Sequence, residues 1–363
     1  MRIAFTGGGT GGHVFPGIAV INALEADGIG KDSFLWIGSG KGIEKEIIGR
    51  FGYRYLAVPS GKLRRYFSFA NFFDLFKIFA GFVKISFCFL FHRPDILFSK
   101  GGYVSVPPVW AAHFLRIPVL THESDLTPGL ATRLNARFSD RIYVPYEETK
   151  QMMSQYGEKV IVSGNPVRPE IFEGDAQKGR KIADVPDGMP VILVSGGSQG
   201  AAPVNRAVRE SLDRLRKCAF VIHQTGENDF TPVNESGYFA RPFFNAEFPH
   251  LLAAADVTIC RAGAGTLWEN GVTGTPAVLI PLGHGTRGDQ AVNARLFASH
   301  GAAKVVTEEE TSDPDWVSAI EEILSDSVLR EKMSTAARSF CRPDAARFLA
   351  DEVRNVLKKK GRL

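Results

Sequence analysis

Cysteine is scarce in this 363-residue chain. Its four cysteines, Cys88, Cys218, Cys260 and Cys341, lie far apart. There is no Cys-x-x-Cys pair and no Cys/His cluster, so neither a zinc site nor a disulfide framework is indicated; free thiols in a reducing compartment are expected. Net charge is nearly absent too, at +4, which is too mild to imply nucleic-acid binding. GxxxxGK[ST] does not occur, which excludes a P-loop ATPase. The first residues, Met1-Arg2-Ile3-Ala4-Phe5-Thr6, read as a strand and not as a signal peptide. Long apolar runs are also lacking. The most apolar stretch, about residues 71–91, is interrupted by Asp74, Lys77 and Lys84. A spanning helix needs about 20 mostly apolar residues, so none is expected.

What remains is an ordinary globular composition, 44% hydrophobic and 23% charged, with 37 glycines and 20 prolines. The length suits two domains, each able to bury its own core. Two features are uneven. Residues 1–160 hold 19 basic and 13 acidic residues, so the first half carries +6 and the remainder −2. Phenylalanine is abundant, 27 residues against 8 Tyr and 4 Trp.

The chain opens with a short apolar run, Ile3–Thr6, then Gly7-Gly8-Gly9-Thr10-Gly11-Gly12, then helical periodicity over Val14–Leu24 with Pro16 near its start. The pattern recurs about 190 residues on. Val191–Ser195 is strand-like, Gly196-Gly197-Ser198-Gln199-Gly200 is a turn, and Ala201–Leu215 is predicted as a helix. Further short apolar runs at Phe34–Ile37, Asp95–Phe98, Val119–His122, Arg141–Val144, Phe220–His223, Val257–Cys260 and Ala277–Ile280 alternate with helical segments. Such alternation means parallel sheets covered on both faces. Two strand–glycine–helix openings mean two Rossmann-like α/β domains, expected to face a central cleft. The boundary is placed at Gly164-Asn165-Pro166, giving domains 1–165 and 166–340. A last helix, within 341–363, is expected to pack back on the first domain.

A glycine turn opening a helix lets backbone N–H groups approach a phosphate, where the helix N-terminus adds partial positive charge. Gly7, Gly9 and Gly12 satisfy G-x-G-x-x-G, but the second strand ends Ile37-Gly38-Ser39-Gly40, without the acid that usually accompanies a dinucleotide site. The glycines therefore serve either tight turns alone or a different phosphate-bearing ligand. Asp313-Pro314-Asp315 is the sole Asp-x-Asp, and its polar setting before a helix marks it as a capping segment.

Further blocks follow in order along the chain: Gly7–Gly17, Gly101-Gly102-Tyr103-Val104-Ser105, His122-Glu123, Gly164-Asn165-Pro166-Val167-Arg168, Gly196–Gly200, His223-Gln224-Thr225-Gly226, Arg261–Glu269 and Asp289–Ala294. Taken together, they resemble the MurG family of UDP-GlcNAc-dependent transferases. The resemblance implies a GT-B glycosyltransferase that moves GlcNAc from UDP-GlcNAc to the C4 hydroxyl of MurNAc in lipid I, giving lipid II and UDP. It implies inversion by a single in-line displacement, no cofactor and no metal. It also implies a peripheral position on the cytoplasmic face of the bacterial inner membrane. His13 and Glu123 are alternative general bases, and the choice between them is open. Thr10, Gly11, Gly12, Tyr103 and Asp125 fall to substrate binding in the first domain. Asp125 is a departure, because the family usually has Asn there. In the second domain, Arg168 and Ser198 would meet the donor phosphates. Ala264, Gly265, Thr266, Leu267 and Trp268 would start a helix aimed at them. Glu269 would take both ribose hydroxyls, Gln290 the GlcNAc hydroxyls and the Phe244 backbone the uracil. His284-Gly285-Thr286-Arg287-Gly288 is atypical for the family.

Ten of the phenylalanines lie between Phe67 and Phe91. Phe69, Phe72, Phe73, Phe76, Phe79 and Phe82 are related by threes and fours, one broad helix face, with Lys77 and other basic residues beside it. Either this face packs on the sheet, or it lies in an anionic membrane surface with the basic side chains on headgroups. Lipid I is membrane-anchored, which favours the second use for part of the stripe. Rival functions are a related transferase with another lipid acceptor and a UDP-GlcNAc 2-epimerase, which needs no lipid.

Overall fold

The computed structural model describes residues 1–62, 69–197, 200–233, 235–283 and 288–363, with side chains from residue 72 onward in the second of these segments. The chain divides into two units, Met1–Val167 with Pro343–Leu363, and Arg168–Arg342.

In the first unit, seven strands form one parallel sheet: β1 (Ile3–Thr6), β2 (Phe34–Gly38), β3 (Arg54–Ala57), β4 (Ile96–Ser99), β5 (Val119–His122), β6 (Arg141–Val144) and β7 (Val160–Val162), in the order β3-β2-β1-β4-β5-β6-β7. Strand β1 is central, with Ile3 opposite both Phe34 and Ile96. All four of its residues are buried, as expected of a parallel strand covered on both faces. Phe5 stacks on Trp36 and tilts against Phe98. Trp36 Nε1 donates to the Gly7 carbonyl at 3.0 Å, which ties the core to the first glycine loop.

In the second unit, six parallel strands follow the same logic: β8 (Val191–Ser195), β9 (Phe220–Gln224), β10 (Tyr238–Arg241), β11 (Val257–Cys260), β12 (Ala277–Leu279) and β13 (Ala303–Val305), in the order β10-β9-β8-β11-β12-β13. One predicted helix is broken. The segment expected over Ala201–Leu215 forms two helices, Ala202–Glu210 and Leu212–Cys218. Ser211 leaves the regular helical path between them, and its hydroxyl accepts from Trp316 Nε1 at 3.1 Å. Asp313 does cap its turn, accepting from the Asp315 N–H.

The C-terminal helix Ala345–Lys359 belongs to the first unit. Leu349, Ala350, Val353 and Leu357 share its core with Ile18, Ile21 and Leu24 of the helix Phe15–Ala26. Asp27, just past that helix, takes ion pairs from Arg347 at 2.6 Å and Arg354 at 2.8 Å.

The phenylalanine segment forms the helix Phe69–Phe91, 23 residues. Its inner ridge is Asp74, Ile78, Gly81, Ile85 and Phe89, spaced by threes and fours and buried. Phe72, Phe73, Phe76 and Phe79 stand on the outside, 58–65% exposed, so these four do not pack on the sheet. Lys77 is paired with the buried Asp74 at 2.9 Å. The Phe69 side chain and residues 63–68, which include Phe67, lie outside the described residues.

Leu349 is completely buried, so Leu349→Ala is expected to destabilise the first unit by about 2–5 kcal/mol. Urea denaturation followed by far-ultraviolet circular dichroism, beside the unsubstituted chain, checks this.

Candidate functional site

The first unit gathers its chemistry at the C-terminal ends of β1, β4 and β5. The loop after β1 bends at Gly9, whose φ of +93° favours glycine, and a Cβ there would meet the Tyr103 ring at 3.0 Å. A short turn, Gly11–His13, follows and delivers His13 before the helix Phe15–Ala26 begins. Thr10 is exposed, Gly11 buried and Gly12 exposed. His13 Nδ1 lies 3.2 Å from the carbonyl of Lys100, the residue after β4. A carbonyl only accepts, so Nδ1 carries the proton in this contact and the basic lone pair is on Nε2.

Glu123, at the end of β5, is 4% exposed. One carboxylate oxygen accepts from the N–H groups of Ser124 and Asp125. The other accepts from the Gly129 N–H at 2.9 Å and the Thr132 hydroxyl at 2.6 Å. Four donors from its own loop and the start of the helix Leu130–Ala136 thus hold it.

Two residues that motif reading passes over complete the arrangement. Glu44 is fully buried in the first turn of the helix Ile43–Phe51. It accepts from the Gly9 N–H and from the N–H and hydroxyl of Ser39, which fastens the glycine loop from beneath. Lys100 is the only buried lysine among the described residues. Its ammonium donates to His122 Nδ1 at 2.7 Å and to the Ser124 hydroxyl. Burial pushes its pKa down to about 8, against the opposing pull of Glu123 and Asp125. His122 donates from Nε2 to the Gly164 carbonyl at 2.9 Å, and burial with the Lys100 charge holds its pKa well below the usual range. The sequence signal for Lys100 was a lysine directly after an apolar strand and before Gly101-Gly102.

In the second unit, Arg168 and Glu269 come together. Arg168 Nε and a terminal nitrogen both meet Glu269 Oε1, at 3.0 and 2.9 Å. The guanidinium also sits over the Phe248 ring. Glu269 lies on the helix Ala264–Thr273, whose first turn holds Ala264, Gly265 and Thr266. Leu267 and Trp268 are 1% exposed and point into the core, so their side chains cannot line a ligand site. The Leu267 N–H already donates to Gly263. Phe244 is buried and its N–H donates to Gln224 Oε1 at 3.0 Å. Gln290 accepts from the Leu282 N–H at 3.0 Å through its amide oxygen. Ser198 and residues 284–287 lie outside the described residues. His223 bridges the Tyr238 hydroxyl at 2.9 Å and Asn205 Oδ1 at 3.0 Å, and Asn205 in turn donates to the Thr225 carbonyl.

Two family models cover most of the chain. Residues 3–144 match the glycosyltransferase family 28 N-terminal domain, and residues 191–348 match its C-terminal domain. The UDP-N-acetylglucosamine–N-acetylmuramyl-(pentapeptide) pyrophosphoryl-undecaprenol N-acetylglucosamine transferase of Treponema denticola is 38% identical over 99% of this chain and 98% of its own. The chain belongs to the MurG family of glycosyltransferases. A MurG-family relative from Bacillus cereus, the transferase numbered 2 in its name, is also 38% identical, over 97% of this chain and 99% of its own. The fold matches the crystal structure of Acinetobacter baumannii MurG, with TM-score 0.74, 24% identity and coverage of 98% and 99%. The UDP-GlcNAc 2-epimerase of Neisseria meningitidis shares the fold at TM-score 0.66 and 16% identity, covering 98% of this chain and all of that one. The architecture is therefore the GT-B α/β fold.

Burial, reinforced by the Arg209 charge, pushes the His223 pKa down to about 3. Between pH 6.5 and about 3 the unfolded chain binds a proton at this position that the folded chain does not. Stability from this group is thus complete above pH 6.5 and lost as pH falls, by about 1.4 kcal/mol per unit. His223→Gln is expected to be less stable at pH 7 but to lose less stability between pH 7 and 5. Urea denaturation at both pH values checks this.

Proposed function

We propose that this chain transfers N-acetylglucosamine from UDP-GlcNAc to the C4 hydroxyl of MurNAc in lipid I, forming lipid II and UDP with inversion at the sugar carbon. The observation that carries the reading is the likeness, over nearly the whole chain, to relatives named for this transfer, in a chain that places His13 with its basic nitrogen at Nε2.

The first unit takes the acceptor and the second the donor. His13 Nε2 removes the proton of the acceptor hydroxyl as that oxygen attacks C1 of GlcNAc. The bond from C1 to the UDP oxygen breaks, and the pair of electrons leaves with UDP. Glu123 is assigned to holding the loop, because all its acceptor positions toward neighbouring donors are in use. The N-terminal turn at Ala264–Thr266 offers backbone N–H groups and partial positive charge to the departing diphosphate. Glu269 Oε2 meets the ribose hydroxyls while Arg168 steadies Oε1. The Phe244 carbonyl accepts from uracil, and the Gln290 amide donates to a sugar hydroxyl.

No described helix is long and apolar enough to cross a membrane. Contact with the anionic cytoplasmic face of the bacterial membrane is assigned to the exposed face Phe72, Phe73, Phe76 and Phe79 of the helix Phe69–Phe91, where lipid I is anchored.

In an assay of GlcNAc transfer to lipid I, His13→Ala is expected to lower kcat by about 10²-fold or more with little change in the donor KM. Glu269→Ala is expected to raise the donor KM chiefly. Wild-type conversion of UDP-GlcNAc to UDP-ManNAc without acceptor would overturn the transferase reading.

Serine at Phe72, Phe73, Phe76 and Phe79 together is expected to reduce co-sedimentation with phosphatidylglycerol vesicles at least tenfold without lowering the unfolding midpoint. Unchanged co-sedimentation would remove this face from membrane contact.

A further inference from the structure

The first glycine loop rests on a carboxylate held without an ion pair. Glu44 is fully buried in the first turn of the helix Ile43–Phe51. Burying an ionised carboxylate is costly unless donors replace the lost water. Among the described residues, its donors are three neutral groups. Oε2 accepts from the Gly9 N–H at 3.2 Å, and Oε1 accepts from the Ser39 N–H at 2.9 Å and the Ser39 hydroxyl at 2.6 Å. Ser39 is fixed in turn, since its carbonyl accepts from the Tyr55 hydroxyl at 2.6 Å. The loop makes room for the acid at Gly8, where a Cβ would meet Oε1 at 2.6 Å.

From the loop the contacts lead to His13. Gly9 lies between Glu44 and the Tyr103 ring, with its N–H on Oε2 and a Cβ position 3.0 Å from the ring. The Gly8 carbonyl and the His13 ring both crowd Gly102, where a Cβ would meet them at 2.5 and 3.2 Å. His13 Nδ1 then donates to the Lys100 carbonyl at 3.2 Å, the long end of the hydrogen-bond range. That bond selects the tautomer of His13 only while the loop keeps the ring within reach. The Gly9 N–H belongs to G-x-G-x-x-G, a pattern that elsewhere turns backbone donors toward a phosphate. Here the chain's own carboxylate takes it. Only a carboxylate suits, because both oxygens face donors. An amide would turn its NH2 toward Gly9 or toward Ser39, and one tether would be lost.

We propose that Glu44 is a positioning residue for His13, acting through the glycine loop that it ties to Ser39. This rests on the reading of His13 as the base that accepts the hydroxyl proton.

The test uses the full chain with nitrogen-15 in its histidines, as wild type, Glu44→Gln, Ser39→Ala and Leu349→Ala. Signals lost in His13→Gln identify His13. At pH 8, where an ordinary histidine is neutral, the wild type is expected to show Nδ1 protonated and Nε2 bare. In Glu44→Gln the two shifts are expected to move toward each other as the tautomers mix. With UDP-GlcNAc and lipid I, Glu44→Gln is expected to lower kcat by about tenfold or more, with the donor KM within about twofold of wild type. Ser39→Ala keeps the Gly9 tether and is expected to lose about threefold. Leu349→Ala destabilises the same unit through its core and is expected to leave the His13 signals and kcat unchanged. Unmoved His13 signals in both Glu44→Gln and Ser39→Ala would overturn the proposal. So would kcat losses that follow the urea unfolding free energies across all three variants, since Glu44 would then be structural only. If Glu44→Gln does not fold, Ser39→Ala decides by the same two readouts. A wild type that never transfers GlcNAc, with His13 signals still moved by Glu44→Gln, would overturn the transferase reading and leave the tether standing.

Discussion

A charged amine inside a protein is costly unless partners and opposite charge surround it. Lys100 meets that condition with His122, Ser124, Glu123 and Asp125. The arrangement of the first unit's site follows from satisfying it. The His122 tautomer is set by the Gly164 carbonyl on one side and the ammonium on the other. The backbone of the same lysine fixes which nitrogen of His13 is basic. Glu44 does the corresponding work beneath the glycine loop, where a second buried carboxylate is met by three donors. Rigid support of this kind is what a proton-accepting histidine needs if its geometry is to be kept through a reaction.

The second unit solves a different problem by different means. The role proposed for it is to hold a diphosphate ligand, and the means it offers are backbone, a helix N-terminus and one ion pair. Arg168 and Glu269 are paired through one carboxylate oxygen, Oε1. The pair of buried Arg261 with partly buried Glu308, at 2.5 Å, and the Arg261 contact to the Ile280 carbonyl brace the loop that leads into the helix Ala264–Thr273. His223, kept neutral by burial, joins Tyr238 to Asn205 and so anchors Thr225-Gly226.

Much of this fold is legible in the sequence because central parallel strands must be apolar throughout. β1, β2, β4, β5, β6, β8, β9, β11 and β12 all coincide with runs that stand out by composition. The other four, β3, β7, β10 and β13, are the edges of the two sheets. Edge strands have one neighbour and carry charge or partial exposure, as Arg54, Arg241 and Lys304 do, so their apolar signal is weak. The site divides in the same way. Glycine loops and His13 announce themselves by spacing. Glu44 and Lys100 do not, because a buried charge reads like a surface charge until its partners are seen. Leu267 and Trp268 show the converse: they sit within a motif, yet helix geometry turns them into the core.

The central claim is an inverting displacement assisted by His13, and the configuration of the new bond tests it most directly. Proton NMR of the disaccharide released from the product formed with UDP-GlcNAc, an α donor, reads that configuration from the anomeric coupling. The account predicts a β linkage alone. An α linkage would contradict it, since retention requires a different mechanism.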